Sequence, residues 1–143
     1  MIDRRVFLLT STAAVATAGF AGPAFADPIL LRDLYNRDMS FSELALANAG
    51  QRVTVEGFMA PPLKAEARFF VLTKMPMSVC PFCETEAEWP ADIVLVLTRG
   101  VLTPTPFNVA IVVDGELSLG TETDPETGFV SRVRLVNATF RRL

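Results

Sequence analysis

The chain has 143 residues, half of them hydrophobic and a fifth charged, with 13 basic side chains, 16 acidic ones and no histidine. That length suits one ordinary domain, and the apolar fraction is too high for a disordered chain. A net charge of −3 argues against nucleic acid as a partner, and the missing histidine excludes His-ligated metals, Ser-His-Asp triads and Cys-His dyads within this chain.

Residues 1–26 have the composition of an export signal peptide. Arg4 and Arg5 form its charged start, and Val6 to Phe20 is an apolar run diluted by threonine, serine and glycine. Ala24-Phe25-Ala26 supplies a small-x-small cleavage site, so the mature chain is expected to begin at Asp27. Arg4-Arg5 followed by Val6, Phe7 and Leu8 resembles the twin-arginine signal, which implies folding before export to the periplasm. Asp3 stands where that signal usually has Ser or Thr, and Leu9 where Lys is common, so an ordinary Sec signal is the alternative. The apolar run is interrupted and too short for a bilayer, and no later stretch is longer, so no membrane span is expected after cleavage.

Residues 27–50 read as a helical lead-in. Leu30, Leu31, Leu34 and Tyr35 cluster on one face of a short turn or helix. Ser40 with Glu43 three residues later has capping-box spacing, which predicts a helix from Phe41 to about Asn48 stopped by Gly50.

Residues 51–143 change to the period of a strand. Val53, Val55 and Gly57 alternate with Arg52, Thr54 and Glu56 until Pro61-Pro62 breaks the run. Arg68 to Thr73 reads as a second strand, and the continuous apolar run Ile93 to Leu97 as a strand buried on both faces. Phe107, Val109, Ile111 and Val113 alternate towards Asp114-Gly115, which predicts a hairpin turn with Glu116 to Leu119 as its return. Asp124 to Gly128 is a further turn, and Phe129 to Phe140 the last strand, with Val133 and Leu135 on one face. On the opposite face Arg132 and Arg134, with Arg141 and Arg142, read as a solvated basic edge. Without crossover helices a parallel sheet is disfavoured. The expected fold is mainly β: a small five- or six-stranded OB-like barrel with a short N-terminal helical segment.

Cys80-Pro81-Phe82-Cys83 is the one obvious chemical constellation. The spacing lets both sulfurs reach one metal ion or each other. Two thiolates are half of a tetrahedral zinc site, and Glu84 and Glu86 offer the nearest further donors, with Glu88 and Asp92 beyond. Met75 and Met77 lie just upstream, and thiolate with thioether suits copper(I). In an oxidising compartment the same pair can instead close a structural disulfide. The tetrapeptide also resembles the active-site motif of glutaredoxins, in which Cys80 would attack and Cys83 resolve. The carboxylates that follow oppose a lowered thiol pKa, and no thioredoxin-type βαβ setting surrounds the pair.

Taken in order, Val53 to Pro62 with its Gly57-Phe58-Met59-Ala60-Pro61, then Phe69 to Leu72, then Cys80 to Cys83, resemble a family of small, mostly uncharacterised bacterial envelope proteins with an OB-like barrel. Gly115 to Gly120 and Asp124 to Phe129 are similar to that family's last hairpin, and the likeness covers roughly residues 50–138. Some relatives are associated with envelope transport or metal handling. The resemblance therefore implies a periplasmic binding or accessory protein, with Cys80 and Cys83 as the positions carried over and an envelope transport system or other periplasmic protein as partner. Zinc or copper is the expected metal; a thiol–disulfide oxidoreductase and an interaction domain with a structural disulfide are the alternatives. The chain carries no mark of its oligomeric state.

Overall fold

Alternating side chains from Arg52 onward build a wall of strands, seen in a computed structural model that describes residues 27–62, 67–78, 93–125 and 128–143. Strand β1 (Ile29–Leu30) leads into a 3-10 turn (Leu31–Leu34) and helix α1 (Glu43–Asn48). Then come β2 (Arg52–Met59), β3 (Phe69–Thr73), β4 (Ile93–Thr98), β5 (Ala110–Thr123) and β6 (Val130–Arg142). The strands run in the order β1-β2-β3-β4-β6-β5, and β5 returns to pair with β2. Among the described strands only β1 with β2 and β4 with β6 are parallel. The ring β2-β3-β4-β6-β5 is the strand order of an OB-like Greek-key barrel.

Closure depends on β2 serving two neighbours. Its length pairs with β5, from Arg52 opposite Glu116 to Phe58 opposite Ala110, while Phe58 and Met59 also pair with Thr73 and Leu72 of β3. Gly57 sits at the change-over. A Cβ there would lie 2.7 Å from the Thr73 carbonyl oxygen and 2.9 Å from the Leu72 side chain, so only glycine lets β3 cross this close. Val53, Val55 and Met59 share the inward face of β2 with Gly57 and meet Leu72, Val94, Val96, Ile111, Val113 and Leu135, all buried.

The lead-in belongs to this core. Leu31, Leu34, Tyr35 and Ala45 are buried in it, and Ile29 pairs with Val55. It packs where β2 and β6 begin: the Gly50 amide donates to Leu117 O (2.7 Å), and Arg132 donates to Met39 O (3.1 Å). The Arg132 guanidinium also rests 5.2 Å from the Phe41 ring and 5.8 Å from the Tyr35 ring. At the other end the β4–β5 connection inserts Leu102, and its Thr105 amide faces Met59 Sδ at 3.4 Å.

Four sequence expectations need correction. Ser42, not Ser40, caps α1, accepting from the Ala45 amide at 3.1 Å; Ser40 instead bonds Asp38 in a turn where Met39 has φ 68°. The helix is correspondingly shorter, beginning at Glu43 rather than Phe41, while the expected short turn before it is a 3-10 turn preceded by the two-residue strand β1. Asp114-Gly115 is no hairpin, because β5 runs straight through it with a register shift against β6. Gly115 is small for a packing reason: a Cβ would stand 3.1 Å from the Cβ atoms of Leu135 and Ala138. The hairpin falls at Asp124 to Gly128, where Gly128 takes φ 71° and donates to Asp124 O (2.8 Å). Of the four arginines expected on a solvated edge, Arg141 and Arg142 are exposed but Arg132 and Arg134 are not. Arg134 is 2% exposed and Arg132 lies half-buried against aromatic rings.

Candidate functional site

The cysteine motif falls in the connection between β3 and β4. Those strands are adjacent and antiparallel, and Thr73 pairs with Ile93, so residues 74–92 leave and re-enter the wall at neighbouring points. Cys80, Cys83, Glu84 and Glu86 lie outside the described residues, as do Arg4, Arg5, Ala24 and Ala26 of the leader. Among the described residues no group of three or more cysteine or carboxylate side chains is placed to hold a metal ion.

The root of the connection is well defined. Thr73 is buried, and its hydroxyl lies 2.7 Å from Met75 O and 3.2 Å from Phe58 O. This bond turns the chain out of β3 and ties the turn to β2. Met75 is then left 63% exposed, and Met77 is half-buried. Met75 thus stands on the surface five residues ahead of Cys80 in the sequence.

Beside that root, the wall has an apolar outer face. Phe70 and Leu72 of β3 and Val94 and Val96 of β4 point inward, so Val71, Ile93 and Leu95 point outward. These three are nevertheless buried, with Ala60, and Phe69, Leu97 and Phe129 pack against them. Phe129 comes from the end of the β5–β6 hairpin, and its ring centroid is 6.4 Å from that of Phe69.

Arg134 borders the same face, opposite Leu95 in register. Its Nη1 donates to Gly120 O (2.8 Å), Ser131 O (3.1 Å) and Ser131 Oγ (3.0 Å), and its Nη2 to Ser118 Oγ (3.1 Å). Its Nε is 3.2 Å from the exposed Glu122 carboxylate, outside hydrogen-bond alignment. Burial pulls the guanidinium pKa below its ordinary value, and Glu122 partly restores it. Sequence reading misses this residue because alternation assigns it correctly to the outer face, and an outer face is presumed wet.

Two surface hollows lie elsewhere on the described residues. One of about 450 Å³ lies between Asp27, Thr54, Asp114, Thr139 and Arg141; another of about 190 Å³ lies between Leu31, Arg32, Glu56, Phe58 and Lys74. Both mix charges of either sign on exposed side chains. No described helix is long and apolar enough to cross a membrane.

No family model matches the chain, and no curated protein does. A solved structure does: the crystal structure of a DUF3299 family protein from Pseudomonas aeruginosa PAO1 superposes with a TM-score of 0.51. The match covers 82% of this chain and 97% of that one at 15% identity. The likeness is one of fold. It extends the barrel reading to a protein of known structure and carries no activity with it.

Proposed function

We propose that this is an exported periplasmic accessory protein whose Cys80–Cys83 pair binds a soft metal ion, zinc or copper, in the service of an envelope transport system or another periplasmic partner. The observation that carries the reading is a two-thiol motif between two strand ends held in register, Thr73 beside Ile93. Glu84 and Glu86 are the nearest hard donors and would complete a zinc set; the exposed Met75 is a soft donor and would favour copper(I). The metal would draw the thiolates into one coordination sphere and release their protons.

The test is a titration of the reduced, exported protein with Zn(II) and, under anaerobic conditions, with Cu(I), each against a competing chromophoric chelator. One ion per chain or per dimer, lost in both Cys80→Ser and Cys83→Ser, is the expected result. Loss of Cu(I) affinity but not Zn(II) affinity in Met75→Leu would assign copper. Absence of binding in the reduced protein refutes the metal reading. A disulfide that then turns over with glutathione would leave the oxidoreductase, and one that resists reduction a structural staple.

A further inference from the structure

We propose that the end of the barrel opposite the cysteine connection docks on an anionic phospholipid surface, through Arg68, Arg99, Arg141 and Arg142 and the exposed side chains of Val101, Phe107 and Leu143. The inference is independent of the metal reading. From the export reading it takes only the compartment, which is bounded by membranes.

The topology gathers these residues. Arg68 precedes β3, and its carbonyl accepts from the Thr98 amide (2.8 Å), so Arg68 and Arg99 are neighbours where β3 begins and β4 ends. Strand β6 runs parallel to β4 with Ala138 opposite Thr98, so Arg141 and Arg142 leave the sheet at the same end. Ile111 pairs with Arg142, and the Leu143 amide donates to Ala110 O (3.0 Å). The β4–β5 connection, with Val101 and Phe107, therefore runs into β5 beside Arg142 and Leu143.

This end carries one sign of charge. The described residues 60–62, 67–68, 98–110 and 139–143 include four arginines and no Asp or Glu. Lys64 and Glu66, which lie outside the described residues, cancel in charge. All four guanidiniums are exposed, and among the described residues none pairs with a carboxylate. Asp27 and Asp114 approach only from the flank, in the hollow that Arg141 also lines. The segments of the opposite end, residues 27–50, 74–92 and 116–128, hold four carboxylates each and three basic side chains in all. The net charge of −3 thus hides a charge separation along the barrel.

The apolar side chains choose among anionic partners. Val101 is 58% exposed, Phe107 39% and Leu143 63%, each carried singly on the same segments as the arginines. A free phosphate offers Val101 and Leu143 nothing, and an acidic protein surface would need a matching pocket for each. The headgroup region of a bilayer takes in single apolar side chains wherever they project, while its anionic lipids attract the arginines around them. Arginines with isolated aliphatic and aromatic tips, on loops held by a closed sheet, suit that surface best.

Flotation of the exported protein with lipid vesicles tests the docking. Vesicles of phosphatidylglycerol and phosphatidylcholine are expected to carry it at least about tenfold better than phosphatidylcholine alone. They should release it as salt rises from about 0.1 M to 1 M, where the screening length falls from about 10 Å to about 3 Å. Arg99→Gln with Arg142→Gln is expected to weaken partitioning about twentyfold, at roughly fivefold for each arginine. Val101→Ser with Phe107→Ser should weaken it several-fold, and both double variants should melt as the parent does, since all four side chains are exposed. Arg32→Gln with Arg37→Gln makes the same charge change at the acidic end and should leave partitioning unaltered. No binding to the anionic vesicles, or equal losses from the two arginine pairs, refutes the proposal. Vesicle binding undiminished by Val101→Ser with Phe107→Ser, matched by equal binding to poly-glutamate, would show a general attraction to acidic partners, proteins included, and overturn the lipid assignment.

Discussion

The two faces of β6 meet at neighbouring residues and are held by different physics. Leu135 points into the barrel and is completely buried among valines and leucines; Arg134 points out and is almost as buried, but among carbonyl and hydroxyl oxygens. The inner face is stabilised by removal of apolar area, which is non-directional and tolerant of small shifts. The outer face depends on four hydrogen bonds of fixed geometry to Ser118, Gly120 and Ser131 of the β5–β6 hairpin. An outward position in a strand is therefore not equivalent to an exposed one. What lies across it decides, and here the chain itself does.

The comparison breaks most completely at Gly57. A valine side chain at this position would have to occupy space within 2.7 Å of the Thr73 carbonyl oxygen, a backbone atom that cannot swing aside. Gly57→Val is expected to cost about 3 kcal/mol or more and to abolish cooperative unfolding, because β3 could no longer cross β2 and both faces would lose their wall. Urea titration followed by Trp fluorescence checks it; a stability within error of the parent would mean the crossing is looser than the distances state. Leu135→Ala comes next, at about 3 kcal/mol from lost burial and the cavity left behind, with the unfolding still two-state. A loss well under 1 kcal/mol on the same titration would show that the barrel collapses freely around the gap, against the rigid inner face described here.

How far the sequence reached follows the same division. The inner face was legible because it is periodic: Val53, Val55, Ile111, Val113, Val133 and Leu135 announce buried positions by alternation alone, and five strands without crossovers lead to the barrel. Asp114-Gly115 misled because the local turn signal and the packing requirement of a close strand crossing both select glycine. Only the continued alternation through Leu117 distinguishes them. Ser40 and Ser42 compete for one cap, and the winner is set by the Ser42 hydroxyl's bond to Asp33 O at 2.6 Å, nine residues away. The burial of Arg134 and the packing of Phe129 were illegible because both depend on contacts made only when the hairpin folds onto the sheet. Of the candidate site, the sequence supplies the donor set at Cys80 and Cys83, and the structure supplies its anchorage at Thr73, Met75 and Ile93.

The outer face is sharpened by separating its charge from its geometry. Arg134→Ala removes all four hydrogen bonds and leaves the Gly120 and Ser131 carbonyls without this donor, for an expected loss of about 2 kcal/mol. Arg134→Lys keeps the charge but not the fork, and should recover less than half of that loss. Equal stability of the lysine variant and the parent would mean that charge alone, and not geometry, holds the hairpin. Both are read from denaturation midpoints at constant slope.

Glu122→Gln carries the smallest effect and decides which kind of ion pair this is. The carboxylate is 66% exposed, so screening reduces its contribution, and Arg134 keeps its hydrogen bonds when Glu122 is neutral. The expected loss is about 1 kcal/mol or less, shrinking further as salt is raised from about 0.01 M to 1 M, where the screening length falls from about 30 Å to about 3 Å. A loss as large as that of Arg134→Ala, insensitive to salt, would instead mark a pair whose attraction is sheltered from water. The outer face would then owe its stability to charge as much as to hydrogen-bond geometry, and the contrast with the inner face would be one of polarity rather than of directionality.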